Sequence, residues 1–174
     1  MKATQKFIRL SLIAAGLLVA GGAVAQDAKI KVGLMLPYSG TFASLGKDIT
    51  DGFKLAINEK GGKLGGKDIE YFTVDDESDP AKATDNTNKL VSRDKVDVLV
   101  GTVHSGVAMG MIKVAKENNT LTLIPNAGAA AATGPLCAPN IFRTSFSNWQ
   151  PAYPMGKVMF DKGHKRVVTV TWKY

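Results

Sequence analysis

From residue 26 onward, short apolar runs alternate with stretches in which apolar residues recur every three or four positions. Ile30–Leu36, IKVGLML, is nearly continuous in apolar character, the pattern of a strand buried on both faces. Residues 37–46, PYSGTFASLG, read as a loop. Ile49, Gly52, Phe53, Ala56 and Ile57 then recur at helical spacing until Gly61 and Gly62 stop the helix. Residues 63–67 form a turn-rich connection, and residues 69–74, IEYFTV, are rich in the β-branched and aromatic residues of a second strand. Asp79-Pro80 opens a second helix, because Asp caps free amides and Pro fits the first turn. Its buried stripe is Ala83, Thr87, Leu90 and Val91.

Residues 97–100 predict a third strand, residues 101–105 a turn, and Ala108, Met111, Ile112 and Ala115 one face of a third helix. Leu121–Ile124 predicts a fourth strand, followed by a loop of small residues over 125–139. Ile141 and Phe142 suggest a short strand crossing out of this unit. Ala152, Met155, Met159 and Phe160 outline a fourth helix with Pro151 and Pro154 in its first turn, and residues 166–172 predict a last strand.

Strand–helix alternation with short turns predicts an α/β fold: a parallel sheet flanked by helices, with right-handed crossovers. In such sheets ligands bind beyond the carboxyl ends of the strands. Three loops leave that edge with unusual content, at 37–46, 101–105 and 125–134. Far apart in sequence, they are expected to meet in space as a cleft, unless they are ordinary strand–helix turns.

The first 25 residues change the cellular setting. Lys2, Lys6 and Arg9 precede an apolar stretch that ends at Ala23-Val24-Ala25, the small-x-small pattern of signal-peptidase cleavage. Residues 1–25 therefore read as a cleavable secretory signal peptide. No Cys stands just after the cleavage position, which points away from a lipid anchor and towards a protein held in the periplasm. The leader holds three cations and no acid, so the excess of 22 Lys and Arg over 15 Asp and Glu shrinks to 19 against 15. Those charges are interleaved, without the clustered positive footprint that nucleic acid needs. The remaining stretch of about 149 residues is long enough for one domain with a core. A single cysteine, Cys137, cannot form an internal bridge, and His104 and His164 stand far apart. Neither a zinc site nor any cofactor is expected. The acids Asp75, Asp76, Glu77 and Asp79 read as a solvated, helix-capping loop.

The segments IKVGLMLPYSGTFASLGKDITDGFKLAINEKGG, DDESDPAKATDNTNKLVSRDKVDVLVG, LIPNAG and IFRTSFSN together carry a resemblance. In this order they resemble the type I periplasmic solute-binding proteins of ABC transporters, in the branched-chain amino acid-binding (leucine/isoleucine/valine-binding protein-like) family. The resemblance implies two α/β lobes that close about a hinge on a small molecule. It implies a monomer that delivers an amino acid or a small organic acid to an inner-membrane permease. It divides the chain into a signal peptide (1–25), a first ligand-binding lobe (26–140), a crossing segment (141–147) and the start of a second lobe (148–174). The family runs to about twice this length, so a fragment or a truncated reading frame is expected.

The same resemblance puts ligand contacts in the loops after the first, third and fourth strands. The first offers Ser39, Gly40 and Ser44, whose hydroxyls and free amides suit a carboxylate; helix capping is the alternative for Ser44. The second offers His104, Ser105 and Gly106, where Ser105 is expected both to cap a helix and to hold a carboxylate, and His104 to donate a hydrogen bond. The third offers Asn126, Ala127 and Gly128. Amino-acid-binding relatives present a backbone carbonyl and a hydroxyl to the ligand's ammonium there, yet no hydroxyl occurs from Asn126 through Ala132. That departure leaves room for an acid without an ammonium, such as an aromatic carboxylate. Phe146, Asn148 and Trp149 follow the crossing; Trp149 or Tyr38 could stack on an aromatic ligand, with hinge packing as the alternative. An enzyme is not expected, because no nucleophile–base–acid set, metal cluster or phosphate loop is visible. A receptor's extracytoplasmic sensing domain, or a truncated remnant that binds nothing, are the other readings.

Overall fold

The computed structural model describes residues 28–171. The segment read as a signal peptide, and Trp172 of the expected last strand, lie outside the described residues. Strand β1 (Ile30–Leu36) occupies the middle of a six-stranded sheet. Helix α1 (Ala43–Asn58), β2 (Lys63–Leu64), β3 (Lys67–Asp75), α2 (Ala83–Asn88), β4 (Val98–Gly101), α3 (Ser105–Glu117), β5 (Leu121–Ile124), β6 (Ile141–Arg143) and α4 (Trp149–Asp161) follow along the chain. The spatial order is β2-β3-β1-β4-β5-β6, parallel throughout except for β2. The fold is α/β, a largely parallel sheet flanked by helices.

The apolar run of β1 follows from its central place. Val32 to Leu36 are all buried, because β3 and β4 flank the strand and helices cover both faces. On one face Met35, Leu99 and Ile124 meet Leu90, Val107, Met111 and Ile112. On the other Val32, Leu34 and Val100 meet α1 through Phe53. Each fully buried side chain of this size contributes about 1.5–3 kcal/mol from removal of apolar surface from water. The second helix starts as expected: the Asp79 carboxylate accepts the Ala81 amide at 2.9 Å and Pro80 takes the first turn. Ala83, Thr87, Leu90 and Val91 are all buried, the last two in a widened π-type turn at Lys89–Arg93.

Four expectations are revised. Residues 63–67 are not only a turn; Gly65 and Gly66, with φ of 56° and 82°, join β2 to β3 as a tight antiparallel hairpin. Ile141 and Phe142 do not leave the unit, since β6 pairs in parallel with β5 as its sixth strand. Pro154 lies inside α4 rather than in its first turn. Residues 166–171 form no strand: among the described residues no neighbour pairs with them, and Val168 and Val170 are 88% and 94% exposed. A strand needs a partner for its amides and carbonyls, and among the described residues none pairs with this segment.

Candidate functional site

The carboxyl ends of β1, β4 and β5 open onto one edge of the sheet, and the three loops meet there. After β4, Thr102 is fully buried and its hydroxyl donates to the Asp76 carboxylate. His104 takes an extended conformation (φ −79°, ψ 125°) and caps α3, its Nδ1 accepting the Gly106 amide at 3.1 Å. An accepting Nδ1 leaves the proton of the neutral ring on Nε2, where it is a donor. Ser105 is therefore not the cap but the first helical residue, and only 7% exposed. The free amides of the α3 N-terminus and the Ser105 hydroxyl make this a place for negative charge.

After β5, Ala127 donates its amide to the Thr102 carbonyl at 2.9 Å, joining this loop to the previous one. The Gly128 carbonyl accepts the Asn148 amide at 2.7 Å, and the Ala129 carbonyl accepts Arg143 Nη1 at 3.0 Å. Asn148 Nδ2 then donates to Ser105 Oγ at 3.3 Å. After β1, Asp75 gathers the Tyr38 amide at 2.8 Å and the Glu77 amide at 2.9 Å. The Tyr38 hydroxyl pairs with Thr50 at 2.8 Å, and Gly40 is exposed with φ of 73°. Phe42, not Ser44, is the residue before α1, and no side chain caps it.

These elements enclose a cleft of about 400 Å³, within the roughly 300–1,000 Å³ common for small-molecule sites. Its polar wall is His104, Ser105, Asn126 and Asn148; its apolar wall is Phe42, Leu45, Val103, Ala152 and Val170, with Thr171 at the margin. His104, Ser105 and Asn126 all line this cleft. Ser39, Gly40, Ser44, Gly106, Ala127, Gly128 and Trp149 are not among its lining residues. Ser39 is exposed, Gly128 supports Asn148, and Trp149, 59% exposed, stacks on Tyr153 with ring centroids 4.8 Å apart. The loop after β1 contributes apolar residues where hydroxyls were expected. Phe42 and Leu45, three positions apart across a helix start, were the available sign. A larger concavity of about 730 Å³ runs along α4, from Tyr153 to Asp161. Among the described residues its lining comes from that helix and lacks the convergence of helix terminus, hydroxyl and imidazole, so the cleft is the better site.

The acidic loop is less solvated than its composition suggests. Asp76 is completely buried; burial pushes its carboxyl up, against the hydrogen bonds from Thr102 and from the Ser78 amide. Burial also acts upward on Asp75, but the bonds from Ser39, Tyr38 and Glu77 outweigh it and hold that carboxyl below its usual range. The two have opposite linkage. The Asp76 contribution to stability is fully present below the unfolded value of about 4 and is lost as pH rises through the raised native value. That of Asp75 is present above about pH 4 and is lost as pH falls through its lowered native value. Asp76→Asn keeps an acceptor for Ser78 and can donate to the Thr102 oxygen. Its urea midpoint is therefore expected to gain on that of the parent as pH rises from about 4; parallel midpoint curves would contradict the assignment.

Comparison with known proteins follows the same geometry. The sequence pattern of the periplasmic binding protein family matches residues 29–174. Leu/Ile/Val-binding protein homolog 6 of Brucella abortus (strain 2308) is 32% identical over 171 residues, covering 98% of this chain and 43% of that protein. The solute-binding protein of an ABC transporter from R. palustris, solved in complex with benzoate, is 56% identical with a TM-score of 0.80, over 84% of this chain and 41% of that one. A second R. palustris solute-binding protein, solved with 4-hydroxybenzoate, is 29% identical with a TM-score of 0.70, over 78% of this chain and 37% of that one. The chain spans less than half the length of these relatives.

Proposed function

The chain belongs to the periplasmic binding protein family, and on that premise we propose that its cleft is the first-lobe half of a capture site for an aromatic carboxylate. The nearly buried Ser105 at the N-terminus of α3, facing Phe42 and Leu45 across the cleft, carries this reading. The helix terminus, the Ser105 hydroxyl and His104 suit the carboxylate; the apolar wall suits a ring. An ammonium has less to meet, since residues 126–132 hold no hydroxyl and the Gly128 and Ala129 carbonyls already accept hydrogen bonds. The benzoate complex of the 56% identical R. palustris protein supports the same ligand class. In a complete binding protein a second lobe closes over this surface and the loaded form docks on a membrane permease. We place the chain accordingly as part of the periplasmic, monomeric, non-enzymatic solute-binding component of an ABC transporter.

A branched-chain amino acid is the second reading, favoured by the name of the Brucella relative. Amide NMR of the chain distinguishes the two. One lobe leaves its ligand half hydrated, so affinity is expected in the millimolar range, about −4 kcal/mol. Benzoate and 4-hydroxybenzoate are expected to shift the amides of Ser105, Gly106 and Val107, while leucine, isoleucine and valine leave them in place. A response confined to the amino acids would reverse the assignment.

A further inference from the structure

We infer that Asn148 is a positioning residue that holds the Ser105 hydroxyl as a hydrogen-bond donor towards the ligand. This rests on the aromatic-carboxylate reading of the cleft and assigns a role within it. A serine hydroxyl has one hydrogen to give and lone pairs to receive. Asn148 Nδ2 donates to Ser105 Oγ at 3.3 Å, so the oxygen already serves as an acceptor. Among the described residues the Ser105 hydroxyl donates to no protein group, although the residue is only 7% exposed and lines the cleft. A nearly buried hydroxyl with an unspent hydrogen is costly unless something arrives to accept it. A carboxylate, which only accepts, is the matching arrival.

The placement of Asn148 is built into the fold. Its backbone amide is held by the Gly128 carbonyl at 2.7 Å. A β-carbon at Gly128 would lie 2.2 Å from Asn148 Oδ1 and 2.8 Å from Asn148 N, so glycine is what admits the side chain. Asn148 does not cap α4 through its side chain, which removes helix capping as the reason for the residue. It stands between β6 and α4, on the segment that leads out of the sheet. Movement of that segment would therefore reach the Ser105 hydroxyl directly, which couples carboxylate recognition to the route into a second lobe.

The test titrates the full isotopically labelled chain with sodium benzoate and, separately, with benzamide, following amide shifts up to tens of millimolar. Asn148→Asp keeps the shape but accepts where Asn148 donates. It draws the hydroxyl hydrogen away from the cleft and adds a negative charge beside it. Benzoate affinity is expected to fall about tenfold or more, the loss of one hydrogen bond to a charged group. Neutral benzamide, which can donate as well as accept, is expected to change by less than about threefold. Ser105→Ala is expected to lose about tenfold for benzoate, and Asn148→Ala on top of Ser105→Ala little more, because a residue acting through another is not additive with it. Equal losses for benzoate and benzamide would mean a merely structural role. Additive losses in the double variant would mean that Asn148 acts independently of Ser105. Either result overturns the proposal. If Asn148→Asp loses its dispersed amide spectrum, the alanine cycle alone decides. An unsubstituted chain that ignores benzoate overturns the aromatic-acid reading itself, and the positioning role with it. A benzoate response in the parent that Asn148→Asp retains in full overturns the positioning role alone.

Discussion

Gly46→Ala is expected to destabilise the fold by about 3 kcal/mol, at the upper end of what overpacking a close contact costs. Local propensity argues the other way, since alanine is better than glycine in a helix interior by about 1 kcal/mol. The contact decides the sign. A β-carbon at Gly46 would stand 1.8 Å from the Pro37 carbonyl oxygen and 2.8 Å from its carbon, and both are backbone atoms that cannot rotate aside. Helix α1 would have to lift from the end of β1, carrying Phe42 and Leu45 away from the cleft. Gly52 in the same helix is the control, because nothing lies within 4 Å of its added β-carbon. Gly52→Ala is expected to stabilise by up to about 1 kcal/mol. Urea unfolding of the two variants reads both signs in one experiment. Stabilisation by both substitutions would disprove the close approach of α1 to β1.

Gly128→Ala is the second large effect, and it falls on the cleft. The new methyl would collide with Asn148 Oδ1 and with the Asn148 amide, so the 2.7 Å bond to the Gly128 carbonyl would open. Overpacking of about 1–3 kcal/mol adds to about 1 kcal/mol for the lost hydrogen bond. Most of the core is remote from this contact: Met35, Leu99, Val107 and Met111 pack between the sheet and α3. The expected signature is therefore uneven. Hydrogen exchange quickens for the Asn148 amide and through α4, the benzoate response at Ser105 is lost, and β1 and the middle of α3 keep most of their protection. Uniform loss of protection, or an unchanged benzoate response, would refute this local account.

The periodic parts of the fold were legible because each depends on few neighbours. Ile30–Leu36 and Leu121–Ile124 are strands with the expected bounds, since a run of apolar residues at period two or a continuous apolar run has few other stable placements. The helix after Asp79-Pro80 was legible from its cap and stripe. The segment 166–171 misled for the opposite reason: its β-branched residues favour a strand, but favour alone supplies no hydrogen-bond partner. At the site, the family resemblance made His104, Ser105 and Asn126 legible as residues that line the cleft. Ser39 and Asp76 were not. Ser39 has the right chemistry for a ligand, but it stands outside the lining of the cleft; Asp76 sits in an acidic run that suggests solvent, but Thr102 and the Ser78 amide replace the water around it.

By itself the sequence determined an α/β unit and left open whether the loops at the carboxyl edge of its strands form a cleft, because residue spacing sets only which faces must be buried. The family followed from the order of its motifs. Tertiary structure alone decided which polar groups remain available in that cleft. Such availability depends on contacts between residues far apart in the chain: Asp75 with Tyr38, Gly128 with Asn148, and Asn148 with Ser105. A hydroxyl has one hydrogen and an amide another, and where each is spent is settled only when distant loops are brought within about 3 Å of each other.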